Sequence, residues 1–368
     1  MRLSKSVVGD CEIEALTRVI QDGYLGMGTE TMNFELELAE FIGVSNSSVC
    51  AVSTGTSALH LVCEYLFEPG QEVLVPSITY VASYQAISAA GAVPVSIDVN
   101  KNDGIICLED ARRKITDKTV GLMYVHYGGN TGDIISIENF CKEFSLALIH
   151  DAAHSFGSKY RSQRVGFREG IYCFSFDGIK NITCGEGGAI ISSDKELIEF
   201  CKDARLLGVK KDTEKRYEGK RSFVFDVTDQ GFRYHLSNLN ASIGRVQLKR
   251  FRKDFEIKRR ALYQQYVDQL ANYERIQVLK VHNDCIIVPH IMPILCESTE
   301  YKKLVQNRGE EWGIQTGVHY YPNHMLTKFI CASPLPNAED FFERQITLPL
   351  HPDLTLKDVD FIINKLLQ

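Results

Sequence analysis

Residues Glu72–Val99 read EVLVPSITYVASYQAISAAGAVPVSIDV: a β-branched run ending at Pro76, a helical stretch over Thr79–Ala90, and a second β-branched run over Val93–Val99. The outer runs, taken with the strands that follow, are apolar at nearly every position. That is the pattern of strands buried on both faces, and therefore of a mainly parallel sheet covered by helices. The same alternation extends in both directions. Upstream, Ser48–Ser53 (SVCAVS) predicts a strand and Thr56–Leu66 a helix; downstream, Val120–Tyr127 (VGLMYVHY) and Leu146–Asp151 (LALIHD) predict strands, with helices near Leu108–Lys114 and Ile135–Phe144. Ile171–Phe176 and Ala189–Ser193 flank a glycine-rich turn closely enough to predict a hairpin, so part of the sheet is expected to be antiparallel. The expected fold class is α/β, a large mostly parallel mixed sheet sandwiched by helices.

The tail has a different texture. A charged helix is predicted over 251–271, then strands near Ile276–Leu279 and Cys285–Ile294, a helix over Thr299–Trp312 and a last one over Leu356–Leu367. This is the size of a smaller α+β domain, and the expected division is residues 1–248 and 249–368. Lys210–Arg221, rich in charge and glycine, is expected to be a mobile surface loop.

Composition narrows the function by exclusion. The chain has 368 residues, 44% of them hydrophobic and 24% charged, which argues against disorder. Forty-one Lys and Arg against 47 Asp and Glu give a net charge of −6, so neither nucleic acid nor an anionic membrane is an expected partner. The 11 cysteines are odd in number and form no C-x-x-C pair, which favours free buried thiols over disulfides or a zinc site. No apolar run approaches the ~18 residues of a membrane span, and the first residues carry no apolar leader. A soluble cytoplasmic protein with no metal is the expectation.

Ligands of an open α/β sheet bind beyond the carboxyl ends of the strands. There the sequence places Ser53-Thr54-Gly55-Thr56-Ser57, Thr79-Tyr80, Asp151-Ala152-Ala153-His154 and Phe174-Ser175-Phe176-Asp177-Gly178-Ile179-Lys180. Ser53–Ser57 is a strand end turning into a helix, which serves either as a plain N-cap or as a phosphate cradle. It matches neither of the glycine-rich nucleotide motifs. An aspartate closing a buried strand needs a partner, either the next helix or a cationic ligand nitrogen. His150-Asp151-Ala152-Ala153-His154 resembles a zinc motif only superficially, because it follows a strand. A lysine at a protected strand end can lose its proton and attack a carbonyl carbon. An anion cradle, an acid for a ring nitrogen and an amine for an aldehyde are together the three handles that pyridoxal 5'-phosphate (PLP) requires.

With these residues quoted, the chain resembles the PLP-dependent sugar aminotransferases of the DegT/DnrJ/StrS family, which share the aspartate aminotransferase fold. The likeness runs from Gly23-Tyr24-Leu25-Gly26 through Ser53–His60, Glu72–Pro76, Asp151–His154, Lys180-Asn181, Gly185-Glu186-Gly187-Gly188 and Ala241–Leu248 to Leu348–Pro352. It implies that Lys180 bonds to the cofactor and carries the proton, that Asp151 keeps the pyridine nitrogen protonated, and that His154 sits near the ring oxygen. Tyr80 would stack on the ring, and Gly55, Thr56 and Ser175 would hold the phosphate. The implied reaction takes an amino group from L-glutamate and passes it to a nucleotide-linked keto-sugar, in a homodimer with shared active sites. A dTDP-4-keto-6-deoxyhexose, giving a 4-amino-4,6-dideoxy sugar for surface polysaccharide (O-antigen) or glycoside biosynthesis, is the first expectation.

Two positions depart from the family pattern. Gly231-Phe232-Arg233-Tyr234-His235 stands where an asparagine usually occupies the third place and reaches the neighbour's cofactor phosphate. Arg233 would replace it with a full charge or grip the sugar nucleotide's diphosphate. Asp177 stands where histidine is common. In the small domain, His319, Tyr320 and His324 are candidates to contact substrate, with a structural turn on Pro322 as the alternative. A 3-keto-sugar aminotransferase, a PLP-dependent sugar 3-dehydratase and a non-catalytic PLP-fold sensor are the competing readings. The dehydratase carries histidine in place of Lys180, and the sensor predicts loss of groups that are all present here.

Overall fold

The computed structural model describes residues 1–331 and 333–367. Among them, thirteen strands form three sheets. In chain order these are β1 (Val49–Val52), β2 (Glu72–Pro76), β3 (Val93–Ile97), β4 (Thr119–Val125), β5 (Ala147–Asp151), β6 (Lys159–Tyr160), β7 (Gln163–Arg164), β8 (Ile171–Ser175), β9 (Gly188–Ser192), β10 (Ile276–Val278), β11 (Cys285–Ile286), β12 (Met292–Cys296) and β13 (Gln345–Leu348). The large sheet has the order β1-β9-β8-β5-β4-β2-β3. Only β9 runs against the rest, pairing antiparallel with both β8 and β1, as the predicted hairpin requires. The other strands therefore end on one common edge.

Alternate residues of each strand feed opposite faces. Val49 and Ala51 join Phe34, Leu38, Phe174 and Leu248 in a core under helices Thr29–Ile42 and Asn238–Arg250. Cys50 and Val52 join Leu61, Val62, Ile87 and Ile198 under helices Gly55–Leu66, Ala82–Ala89 and Lys195–Ala204 on the other face. A separate core, built around Tyr266, Ile294, Val305, Ile346 and Ile362, belongs to the tail and its β10-β12-β13 sheet. No helix among the described residues is long and apolar enough to cross a membrane.

Several elements differ from the sequence expectation. Helices Asp10–Asp22 and Thr29–Ile42 precede the first strand and were not anticipated. Helix Ala82–Ala89 starts three residues late because the Thr79 hydroxyl pairs with that of Ser83, 2.9 Å away, in a non-helical turn. Cys285–Ile294 is two short strands, β11 pairing with β6 of the first unit and β12 with β10 and β13 of the second. Lys210–Arg221 contains a helix, Asp212–Tyr217, whose Asp212 and Thr213 are buried. It is tied down by Arg205, a fully buried guanidinium that pairs with Glu35 at 2.6 Å and donates to the Tyr217 hydroxyl oxygen at 3.0 Å. The 248/249 division falls inside a continuous helical rod, Asn238–Arg250, a π turn at Phe251–Phe255 and Glu256–Leu270. The first residues also cross over: Gln315 N–H donates to the Met1 carbonyl, and Leu350 N–H to that of Leu3.

Candidate active site

The ends of β1, β2, β4, β5 and β8 surround a cavity of about 510 Å³, with His290, His319 and Tyr320 of the tail closing its far side. The first wall is the turn from β1 into helix Gly55–Leu66. Thr54 caps that helix: its hydroxyl accepts from the Ser57 N–H at 2.9 Å, and the Ser57 hydroxyl accepts from the Thr54 N–H at 3.0 Å. The N–H groups of Gly55 and Thr56 are left without partners at the positive end of the helix dipole, an arrangement that favours an anion. Gly55 has a packing reason to be glycine, since a Cβ there would lie 2.7 Å from that of Ser175. The close approach brings the Ser175 hydroxyl, at the end of β8, beside the same helix start.

The second wall is Asp151, the last residue of β5 and buried. One carboxylate oxygen accepts from the Ser83 hydroxyl at 2.8 Å and the other from the Ala153 N–H at 3.2 Å. Since Ser83 donates to Asp151, the Thr79 hydroxyl must donate to Ser83, which fixes the carboxylate through a two-hydroxyl relay. Burial raises the Asp151 pKa, opposed by these bonds and by the charge of Lys180. A carboxylate disfavoured in this way is poised for a cationic partner.

Lys180 faces it from the turn after β8. Its Nζ makes no hydrogen bond or ion pair with the described residues. Burial pulls its pKa down to about 8, while Asp151 and Asp177 hold it up. This gives Asp177, one of the unusual positions, a physical effect: it lines the cavity and supplies a charge that keeps the lysine from dropping further. The rate at which the apoprotein captures PLP should accordingly inflect near pH 8, not near the ordinary lysine value, because the free amine is the reacting form. Asp177→Asn should move the inflection downward; stopped-flow absorbance against pH measures both, and an inflection above pH 10 would contradict the assignment.

His154 accepts at Nδ1 from the Gly128 N–H, 3.2 Å away, so its proton sits on Nε2 and is donated to the Tyr320 hydroxyl oxygen at 2.8 Å. Burial, with the nearby Lys180 charge, pushes its pKa well below the usual histidine range, so the ring is neutral. The Tyr320 proton remains free to point into the cavity. Tyr80, largely exposed, stands at the mouth with its ring 5.7 Å from that of Tyr320.

Gly55, Thr56, Tyr80, Asp151, His154, Ser175, Lys180, His319 and Tyr320 thus line one cavity. His324 does not: it is buried between the Ser77 hydroxyl at 2.7 Å and Glu339 at 3.3 Å, holding the Pro322 turn to β2. Arg233 is exposed on the loop that bridges to Leu206, outside this cavity. Glu186 and His290 line the cavity without having been singled out. Glu186 lies in the quoted glycine-rich turn, which was its only signal. His290 sits in an apolar run that gave none, yet its ring is 4.6 Å from that of His154 and neither nitrogen has a partner.

The set fits PLP: unpaired helix N–H groups for a phosphate, a buried carboxylate for the ring nitrogen, and an unpaired low-pKa amine for the aldehyde. Comparison with known proteins agrees. Residues 7–367 match the model of the DegT/DnrJ/EryC1/StrS aminotransferase family. The dTDP-4-dehydro-2,3,6-trideoxy-D-glucose 4-aminotransferase of Saccharopolyspora spinosa is 30% identical over 357 residues, 96% of this chain and 92% of that protein. Among solved structures, PseC of Helicobacter pylori, an aminotransferase involved in the biosynthesis of pseudoaminic acid, superposes with a TM-score of 0.90 at 27% identity, covering 100% of this chain and 98% of the other. Spr1654 of Streptococcus pneumoniae in its PLP form gives a TM-score of 0.89 at 26% identity, covering 99% and 97%.

Proposed function

The chain belongs to the DegT/DnrJ/EryC1/StrS aminotransferase family, and from that premise we propose that it moves an amino group from L-glutamate to a dTDP-linked 4-keto-6-deoxyhexose, giving a 4-amino-4,6-dideoxy sugar. It is a sugar aminotransferase that uses PLP. The observation that carries the reading is the unpaired Lys180 amine opposite the relay-held Asp151. The choice of position 4 and of dTDP is supported by the likeness to the S. spinosa enzyme. The product suits surface polysaccharide or glycoside assembly, and the eleven free thiols suit a cytoplasmic enzyme.

Bound PLP supplies an electron sink that makes the proton on the nitrogen-bearing carbon of the substrate acidic. The chain's own residues do the rest. Gly55 and Thr56 N–H groups, with the Thr56 and Ser175 hydroxyls, bind the phosphate and fix the ring's position. Asp151 holds a proton on the ring nitrogen. Lys180 would hold the cofactor at its aldehyde carbon, and its amine would take and return the substrate proton, a role suited to an amine whose pKa burial lowers to about 8. His154, neutral and hydrogen-bonded on both sides, orients Tyr320 toward the ring oxygen without adding charge.

Among the described residues no arginine lines the cavity, whereas Asp151, Asp177 and Glu186 do. Two substrate carboxylates and a diphosphate therefore need cations from elsewhere, and the proposed homodimer supplies them through the exposed Arg233 of a second copy. Its loop carries Phe223 and Val224, 96% and 92% exposed, apolar surface that a second copy would cover. Mixing inactive Lys180→Ala chains with impaired Arg233→Ala chains should restore part of the wild-type activity, since each hybrid dimer holds one intact site. No recovery after confirmed subunit exchange would count against shared sites. The acceptor itself is tested with glutamate and dTDP-, UDP- and GDP-linked keto-hexoses, reading the position of the new amine by NMR; amination at position 3 would reverse the assignment.

A further inference from the structure

The fold holds His319 by a chain of groups that the reading above leaves unused. The backbone N–H of His319 donates to Gln345 Oε1 at 2.9 Å, which fixes the side-chain amide so that its Nε2–H donates to Thr347 Oγ1 at 2.7 Å. Thr347 Oγ1 lies 2.9 Å from His319 Nδ1, and this nitrogen is the acceptor within reach of the threonine proton. The hydroxyl therefore donates to Nδ1, and the histidine proton sits on Nε2. Gln345 and Thr347 are two residues apart on β13, hence on one face of the strand, and both are buried at 0% and 1% exposure. Backbone bonds between Gly317 and Thr347 lock the two segments together in both directions, at 3.1 and 2.7 Å. Nε2, with no protein partner, is left on the ring that lines the cavity. Burial and the nearby Lys180 lower the His319 pKa to about 4, so the ring is a neutral donor in working conditions.

A neutral N–H beside Lys180, in a cavity of three carboxylates, suits a neutral oxygen better than a carboxylate, which gains most from charged donors. We propose that His319 Nε2–H donates to the acceptor sugar, at the keto oxygen or the hydroxyl beside it, and that Gln345 and Thr347 are positioning residues that set this tautomer. The proposal rests on the sugar aminotransferase reading and deepens it, because it makes His319 specific to the sugar half of the reaction.

The two halves separate the possibilities. Glutamine places its side-chain N–H where a histidine carries Nε2, and asparagine where it carries Nδ1. In the holoenzyme, His319→Asn should slow amination of the acceptor about tenfold or more, the size of one lost hydrogen bond at a desolvated site, while the glutamate half stays within about twofold. His319→Gln should recover most of the loss, and Thr347→Val should reproduce part of it. Independently of turnover, ¹⁵N-histidine NMR of wild-type protein should show the Nε2–H tautomer for His319, assigned by its absence in His319→Gln, and Thr347→Val should mix the tautomers. An Nδ1–H signal in the wild type, equal slowing of both halves by His319→Asn, or no advantage of glutamine over asparagine would each overturn the proposal. If wild type aminates a dTDP-, UDP- or GDP-linked 4-keto-6-deoxyhexose and His319→Asn matches it, the sugar reading stands and this one fails. If wild type aminates none of the three, both fail.

Discussion

Lys180→Ala is expected to lose the covalent attachment of PLP and to slow conversion of the cofactor by glutamate by about 10²–10⁴-fold, the range of a positioned proton carrier. The size follows from the site, because nothing else in the cavity can take over the role. Asp151 is fixed by Ser83 and Ala153, Asp177 and Glu186 are carboxylates and so intrinsically weaker bases than an amine, and His154 is committed at both nitrogens. His290 and His319 are the remaining bases, and burial beside Lys180 strongly depresses the basicity of both, that of His319 to about 4. Borohydride treatment of wild type should fix the cofactor mass to the peptide containing Lys180, and treatment of the variant should fix none. The variant should still bind PLP, since Gly55, Thr56, Ser175 and Asp151 are untouched; equilibrium dialysis checks this. Persistence of the covalent adduct on another lysine, with glutamate still converting the cofactor, would remove Lys180 from its role.

How much of this was visible in the sequence depends on whether a residue's partners are close along the chain. The strands β1, β2, β4, β5 and β8 were legible because each is a dense apolar run, and their polar ends marked the site in advance. Thr54–Ser57 was legible as a cap because its bonds span three residues. Helix Asp10–Asp22 left little signal because it buries a narrow stripe, Ala15 and Val19 beside Glu12, among many charges, whereas Thr29–Ile42 carries a broad buried face with Phe34, Leu38, Phe41 and Ile42 that was legible in the sequence. The Thr79–Ser83–Asp151 relay joins residues 68 and more positions apart, and Gln345–Thr347–His319 meets only when β13 pairs with the Gly317 segment. Neither leaves a local pattern. His324 illustrates the opposite error: its motif company placed it near substrate, whereas its bonds to Ser77 and Glu339 make it a clamp between the two units. Asp177 and Arg233 were legible only as departures, and only Asp177 gains an effect within a single chain, through its charge on Lys180.

Asp151→Asn separates function from stability in a way that few substitutions at a buried position can. The amide keeps the shape: its oxygen can still accept from the Ala153 N–H, while the NH2 in place of the second carboxylate oxygen donates to Ser83, whose hydroxyl then turns to donate to Thr79, so the bonds are reversed in direction and not lost. What disappears is the charge proposed to face the ring nitrogen of bound PLP. Leaving one member of a buried ion pair without its counter-charge costs about 3–5 kcal/mol, which corresponds to a loss of roughly 10²–10⁴-fold in the rate of the glutamate half-reaction. In the apoprotein the sign reverses. Burial raises the Asp151 pKa above its value in the unfolded chain, so ionisation favours the unfolded state once the pH exceeds the ordinary aspartate value. The amide removes that penalty. Apo Asp151→Asn should therefore melt no lower than apo wild type at neutral pH, with any gain fading as the pH falls below about 4. Lys180 should respond as well: Asp151 is the first of the two charges holding its pKa up to about 8, so the pH inflection for PLP capture should move down in this variant. A rate within a few-fold of wild type, or an inflection moving upward, would remove Asp151 from both roles; a large rate loss with an unchanged or raised apo melting temperature would identify its charge as a functional group kept at the expense of the empty fold.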